Sequence, residues 1–154
     1  MYRSLSGTPR DVALLIARVV LVVVMVAHAW QKLAQGLSDT AVVFSKFGIP
    51  LAIAAAAFTI VVEFVASAAI LLGLKMTVPA SFLVFVMAGA IFFVHGQNGI
   101  FVANKGWELV GVIIVGTLAL MSSGPGRFSL DHVLETARER RMAQTMVIRQ
   151  PITV

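Results

Sequence analysis

Residues 51–74 read LAIAAAAFTIVVEFVASAAILLGL, an apolar run whose only charged residue, Glu63, stands near its middle. As an α-helix the run rises about 36 Å, more than the roughly 30 Å of a bilayer's hydrocarbon core. Lipid cannot solvate a carboxylate, and an ionisable group at the bilayer centre normally faces a protein interior or a watery cavity. Two questions follow: how many such helices the chain builds, and which groups meet Glu63 between them.

Composition answers the first. Of the 154 residues, 59% are hydrophobic and 12% charged, and the mean hydropathy is +0.96, whereas soluble domains carry about 25% charged residues. Four segments are apolar enough to cross a bilayer: residues 12–33, 50–74, 77–95 and 107–122. The third opens with Pro79 in its first turn, where a proline costs no hydrogen bond, and Gly124-Pro125-Gly126 stops the fourth. A backbone in lipid must satisfy its own hydrogen bonds, and no alternating barrel pattern is present, so every segment is expected to be helical. The expected fold is an all-α membrane protein, a four-transmembrane-helix bundle over residues 1–128 joined by loops, with a basic tail over 129–154. The first segment is too long for the apolar part of a signal peptide and ends in Trp30-Gln31-Lys32, so it is expected to stay in the membrane.

Lys and Arg set the expected orientation. Arg3 and Arg10 precede the first segment, Lys75 lies between the second and third, and Arg127, Arg138, Arg140, Arg141 and Arg149 follow the fourth. Only Lys32, Lys46 and Lys105 flank the other side. By the positive-inside rule both termini are cytoplasmic, which places the protein as a multi-pass component of a bacterial inner membrane. The net charge of +5 then reads as topology plus attraction to anionic lipid, and no nucleic-acid-binding scaffold accompanies it. In the tail, Leu130, Val133, Leu134 and Ala137 suggest an amphipathic helix to about Gln144, capped by Ser129 or Asp131 and lying along the inner membrane surface. Beyond Arg141 the sequence also suits a disordered basic tail.

The polar residues within the segments form two groups. Arg18, His28 and Lys32 make a basic stripe on the first helix, and Arg18 lies within side-chain reach of the membrane centre, where it can pair with Glu63. The stretch from His95 to Glu108, HGQNGIFVANKGWE, closes a polar vestibule with Asn98, Trp107 and Glu108. Trp30, Phe101 and Trp107 also suit an interfacial aromatic belt, and His132 reads as a tail residue.

These residues resemble a known family. His28 with Gln31-Lys32-Leu33, the intramembrane Glu63, the stretch from Val94 to Val102, Gly106-Trp107-Glu108-Leu109, and the stretch from Gly124 to Asp131 are similar, in order, to signatures of the DoxX family of small bacterial membrane proteins. Ala29 stands where that family usually has glycine, and the tail beyond Asp131 follows no family pattern. The resemblance implies a four-helix membrane bundle and an association with redox systems. Members include a membrane subunit linked to terminal and thiosulfate-to-quinone oxidation, and others are linked to a complex with a superoxide dismutase and a sulfurtransferase.

Two functions fit. In the first, the chain is a subunit of a membrane-bound oxidoreductase or respiratory complex, and His28, Glu63, His95 and Glu108 line a pocket for a quinone headgroup or a proton. A quinone needs hydrogen-bond partners for its carbonyls and a proton donor on reduction, and imidazole and carboxyl groups supply both. In the second, the chain is a non-catalytic assembly protein in which Arg18–Glu63 and His28–Glu108 are interhelical clamps, and Ala54–Ala57 and Ala66–Ala69 let helices approach closely. A small-solute carrier is the remaining option, and homo-oligomerisation fits any of the three. With no cysteine, the chain holds no thiolate iron–sulfur cluster and does no thiol chemistry, and it has no dinucleotide-binding glycine fingerprint. Alone it is not expected to be a complete oxidoreductase. No metal site is expected either, since the Glu-x-x-His and His-x-x-x-His spacings are lacking.

Overall fold

Thr8 opens a helix that Pro9 and Asp11 favour, one by its fixed backbone angle and the other by its charge at the helix's positive end. The computed structural model describes residues 6–149, and this first helix, α1, runs Thr8–Gln35. At 28 residues it is about 42 Å long. Gly36 ends it at φ 99°, a conformation that suits glycine, and the chain turns at once into a second helix, α2, Leu37–Lys46. Thr40 fastens this corner, its hydroxyl donating to the carbonyls of Lys32 at 3.1 Å and Gly36 at 2.9 Å.

Residues 37–46 were expected to lie in a loop. They form a helix that packs on its successor, because an amphipathic ten-residue helix is too short to register against a bilayer-length criterion.

α3 (Ala52–Leu72) carries Glu63 and ends in a Schellman turn, with Leu74 N–H donating to Ala69 O and Gly73 N–H to Ile70 O. α4 (Thr77–Ala90) continues through a π-helical turn, Ile91–His95, and a 3₁₀ turn, Gly96–Asn98. A tight loop with one more 3₁₀ turn, Val102–Asn104, leads to α5 (Glu108–Ser123). After Gly124-Pro125-Gly126 the chain forms α6, Leu130–Arg149, with Ser129 as its N-cap, the hydroxyl accepting from His132 N–H at 3.2 Å. The helix runs past Gln144 to Arg149. Arg3 and the end of the tail from Gln150 onward lie outside the described residues.

No strand occurs among the described residues. Three helices are long and apolar enough to cross a membrane: α1, α3, and α4 with its continuation to Asn98. α5 is apolar but shorter. α3 sits centrally, against α1, α2 and α4, and α5 packs on α4 and α1. Between them lies a core of Leu21, Val22 and Met25 from α1, Val62, Ala66 and Ile70 from α3, Leu83 and Met87 from α4, and Ile113 and Leu120 from α5. The outside is apolar too: Val23, Val65, Phe85, Val112 and Val115 are each more than 60% exposed, a surface that suits lipid and not water. Ala29 and Ala56 are fully buried and Ala66 and Ser67 nearly so, so these small residues bring α3 close to its neighbours within the chain.

Candidate functional site

Lys32 stands one turn before the end of α1, and its flexible stem carries the ammonium group to the middle of α3. There Nζ lies 2.9 Å from Glu63 Oε1 and 2.8 Å from Oε2, a contact to both carboxylate oxygens. Glu63 is 1% exposed. Its charge is met by a partner rather than by water, as burial of a carboxylate requires. Lys32 also donates to His28 O at 3.4 Å, so the basic stripe of α1 does face inward at this level.

The partner of Glu63 is therefore Lys32, and Arg18 lies elsewhere. α1 begins four residues earlier than the apolar run suggested, and Arg18 stands level with the last turn of α3, about 12 Å along that helix from Glu63. There its fully buried guanidinium donates to Leu71 O at 3.3 Å and to Phe128 O, while Nε has no partner among the described residues. Arg18 thus ties α1, the C-terminus of α3 and the segment after α5 together, a cation at the negative end of a helix dipole. Gly73 makes room for it. At φ 64° it occupies the left-handed region, and a Cβ there would collide with Arg18 Nη1 and with Ser129.

The histidines are held alike. His28 Nδ1 is 2.8 Å from Val24 O, and His95 Nδ1 is 2.7 Å from Lys105 O. A carbonyl only accepts, so each Nδ1 carries the proton and each neutral ring keeps its Nε2 lone pair uncommitted. His95 reaches its carbonyl from the π turn, a widened turn of the kind often found at functional positions.

A cavity of about 1110 Å³ brings these groups into one wall system. His28, Lys32, Glu63 and His95 line it, with Gln31, Thr59 and Lys105, and Met25, Phe58, Phe85, Phe93 and Ile113 make up apolar parts of the wall. Arg18, Asn98, Trp107 and Glu108 do not line it. Asn98 and Glu108 hold the vestibule loop closed: Asn98 Nδ2 donates to Val94 O at 3.1 Å, and Glu108 Oε1 accepts from Val102 N–H at 2.6 Å. The expected His28–Glu108 clamp is thus replaced by these local bonds. Trp107 lies over Gly111, its ring 38% exposed. Two contributors escaped the sequence reading. Lys105 read only as a flanking charge, and Thr59 carries no signal beyond being a hydroxyl in an apolar run.

Chemically, the cavity offers two imidazole acceptors, one ion pair and a second ammonium in largely apolar surroundings, a combination suited to a ligand with a polar head and a greasy body. Ionisable groups turned inward and apolar side chains turned outward define a helical membrane protein. The chain belongs to the DoxX family, whose family model matches residues 13–96. That stretch contains Arg18, His28, Lys32, Glu63 and His95, and it ends before the vestibule loop and α5. No curated protein and no solved structure matches the chain.

Proposed function

We propose that this protein is the integral membrane subunit of, or an accessory protein to, a membrane-bound oxidoreductase or respiratory complex, and that its cavity receives a quinone headgroup. α5 serves as the fourth span of the bundle, both termini face the cytoplasm of a bacterial cell, and α6 rests at the inner surface. What carries the reading is the pairing of uncommitted Nε2 atoms on His28 and His95 with an apolar cavity whose charges are already matched in the Lys32–Glu63 contact.

The cavity suits the group in size and in chemistry. A bound quinone would supply two-electron, two-proton redox chemistry, with the electrons coming from the partner complex because this chain has no electron carrier of its own. Neutral His28 and His95 accept hydrogen bonds, or take protons, at Nε2. The backbone carbonyls at Nδ1 fix each ring's tautomer and orientation. Lys32 holds the Glu63 carboxylate in place and donates toward a carbonyl oxygen if it turns from that partner. The apolar walls keep bulk water from the polar groups.

The test is to extract the tagged protein gently from its own membranes and analyse its co-purifying proteins and lipids by mass spectrometry. Stoichiometric quinone together with a redox enzyme is the expected result. Recovery of the protein with neither overturns the proposal and leaves a small-solute carrier. A second reading, a non-catalytic assembly protein, draws on Arg18, whose bonds are purely structural. It predicts the redox partner without the quinone.

A further inference from the structure

The walls of the cavity are not all interior. Phe58 of α3 and Phe85 of α4 both line it, yet they are 41% and 69% exposed, and Phe92, further along the same chain, is 76% exposed. A side chain that touches both the cavity and the outside stands at an opening. The Phe58 and Phe85 rings meet edge to face with centroids 6.3 Å apart, and Phe82 extends the cluster at 6.5 Å from Phe58.

This opening lies at mid-depth. Counted from the turn that joins the two helices, Glu63 is about 13 Å along α3 and Phe85 about 12 Å along α4. Phe85 is thus level with the buried carboxylate, and Phe58 stands a turn and a half further along. At that depth in a bilayer the neighbouring solvent is hydrocarbon. A second opening, at the other end, has polar borders: Gln31, Gln35 and Lys105 line the cavity and are exposed.

We infer that the cavity is loaded sideways from the lipid, between α3 and α4 past the Phe58–Phe85 pair, by an amphiphile of the isoprenoid-quinone class whose tail stays in the gap. The inference rests on the quinone reading of the cavity and adds a route and a tail to it. A ring pair is a suitable gate here. It holds by contact alone, so parting it breaks no hydrogen bond, and parted rings lose little in a solvent as apolar as themselves. A headgroup that passes Phe85 arrives beside Glu63 and Lys32 without leaving its depth, so the polar head crosses no further hydrocarbon and the tail need not enter water.

The chain has no cysteine, so a Phe58→Cys/Phe85→Cys protein carries thiols only at the gate. Reconstituted in lipid nanodiscs, it is treated or not with a short bis-maleimide, exposed to a long-tailed isoprenoid quinone or to a tailless water-soluble benzoquinone, and the quinone retained per protein is counted after re-extraction. Cross-linking is expected to abolish retention of the tailed quinone, down to that of protein-free discs, and to leave the tailless one unchanged. A Phe58→Ala/Phe85→Ala protein, which widens the gap, is expected to load the tailed quinone faster. Equal retention of the tailed quinone with and without the cross-link overturns sideways loading alone. Equal loss of both quinones, as a collapsed cavity would give, also overturns it. If the native chain retains neither quinone, the quinone reading fails and this inference with it.

Discussion

Lys32 Nζ contacts both oxygens of Glu63, at 2.9 and 2.8 Å, across the interface of α1 and α3. The pair is asymmetric, because the Lys32 side chain is 22% exposed and that of Glu63 only 2%. Removing the lysine strands a carboxylate that has no route to water, whereas a lysine without its partner can swing into the cavity. Lys32→Met is therefore expected to cost about 3 kcal/mol, near the low end for a broken buried pair, and Glu63→Gln less. In the double variant most of the loss should return, because no unmatched charge remains. Thermal unfolding in detergent, followed by circular dichroism, checks the order. Glu63→Gln at least as destabilising as Lys32→Met would contradict it.

Arg18 makes a separate prediction at the far end of α3. Arg18→Met leaves the Leu71 and Phe128 carbonyls without their donor, at a cost of about 1–3 kcal/mol for each buried acceptor. Gly73→Ala should be comparably harmful, because it combines a left-handed backbone with a collision against Arg18 and Ser129. Neither change touches the cavity wall. Both are expected to lower the unfolding midpoint while leaving quinone affinity in the surviving folded fraction unchanged, and a selective loss of affinity would show that the clamp and the cavity are coupled.

For the histidines the balance reverses. His28→Phe and His95→Phe each remove one uncommitted Nε2 and keep an aromatic ring in the wall. Each is expected to weaken binding of a tailless quinone about tenfold, the value of one hydrogen bond of about 1.4 kcal/mol. Isothermal titration in detergent measures it, and unaltered affinity in both variants would remove the imidazoles from the ligand's surroundings.

The tail can be tested for its surroundings. Leu130, Val133 and Leu134 lie on one side of α6 and are 40–59% exposed, while Glu135 and Glu139 lie towards the other. With an environment-sensitive dye on Val133→Cys and on Glu139→Cys, emission should shift to the blue only at residue 133, and more strongly in discs containing anionic lipid. Identical spectra at both positions would detach the helix from the membrane.

Topology completes the set. Reporter fusions at the two ends are expected to report the cytoplasmic side for both, and an external signal from either end would refute the even number of spans.

The long apolar helices were legible because hydropathy over about 20 residues depends on local sequence alone. The runs at 50–74 and 107–122 come within two residues of α3 and α5. Glu63 was legible for the same reason, as a lone charge in such a run. Its partner was not. Which basic residue of α1 meets it depends on how far one helix is shifted along another, and four extra residues at the start of α1 move Arg18 from the carboxylate to the end of α3. α2 was hidden by its length. The tasks of Asn98 and Glu108 depend on how the loop between α4 and α5 closes, and nothing in their spacing announces it.

One turn of α4 has a bearing on ancestry. From Ile91 to His95 the helix is wound wide, and Gly96 N–H reaches back to Ile91 O in place of the usual α-helical acceptor. Such a turn holds one residue more than an α-helix would over the same rise. Deleting any single residue there would let the helix close to its ordinary pitch and rotate everything beyond by about 100°, carrying His95 away from the Lys105 carbonyl that fixes its tautomer. The histidine's place in the wall is thus a matter of chain length as much as of side-chain identity. A lineage could gain or lose that imidazole by inserting or deleting one codon, with every neighbouring residue unchanged.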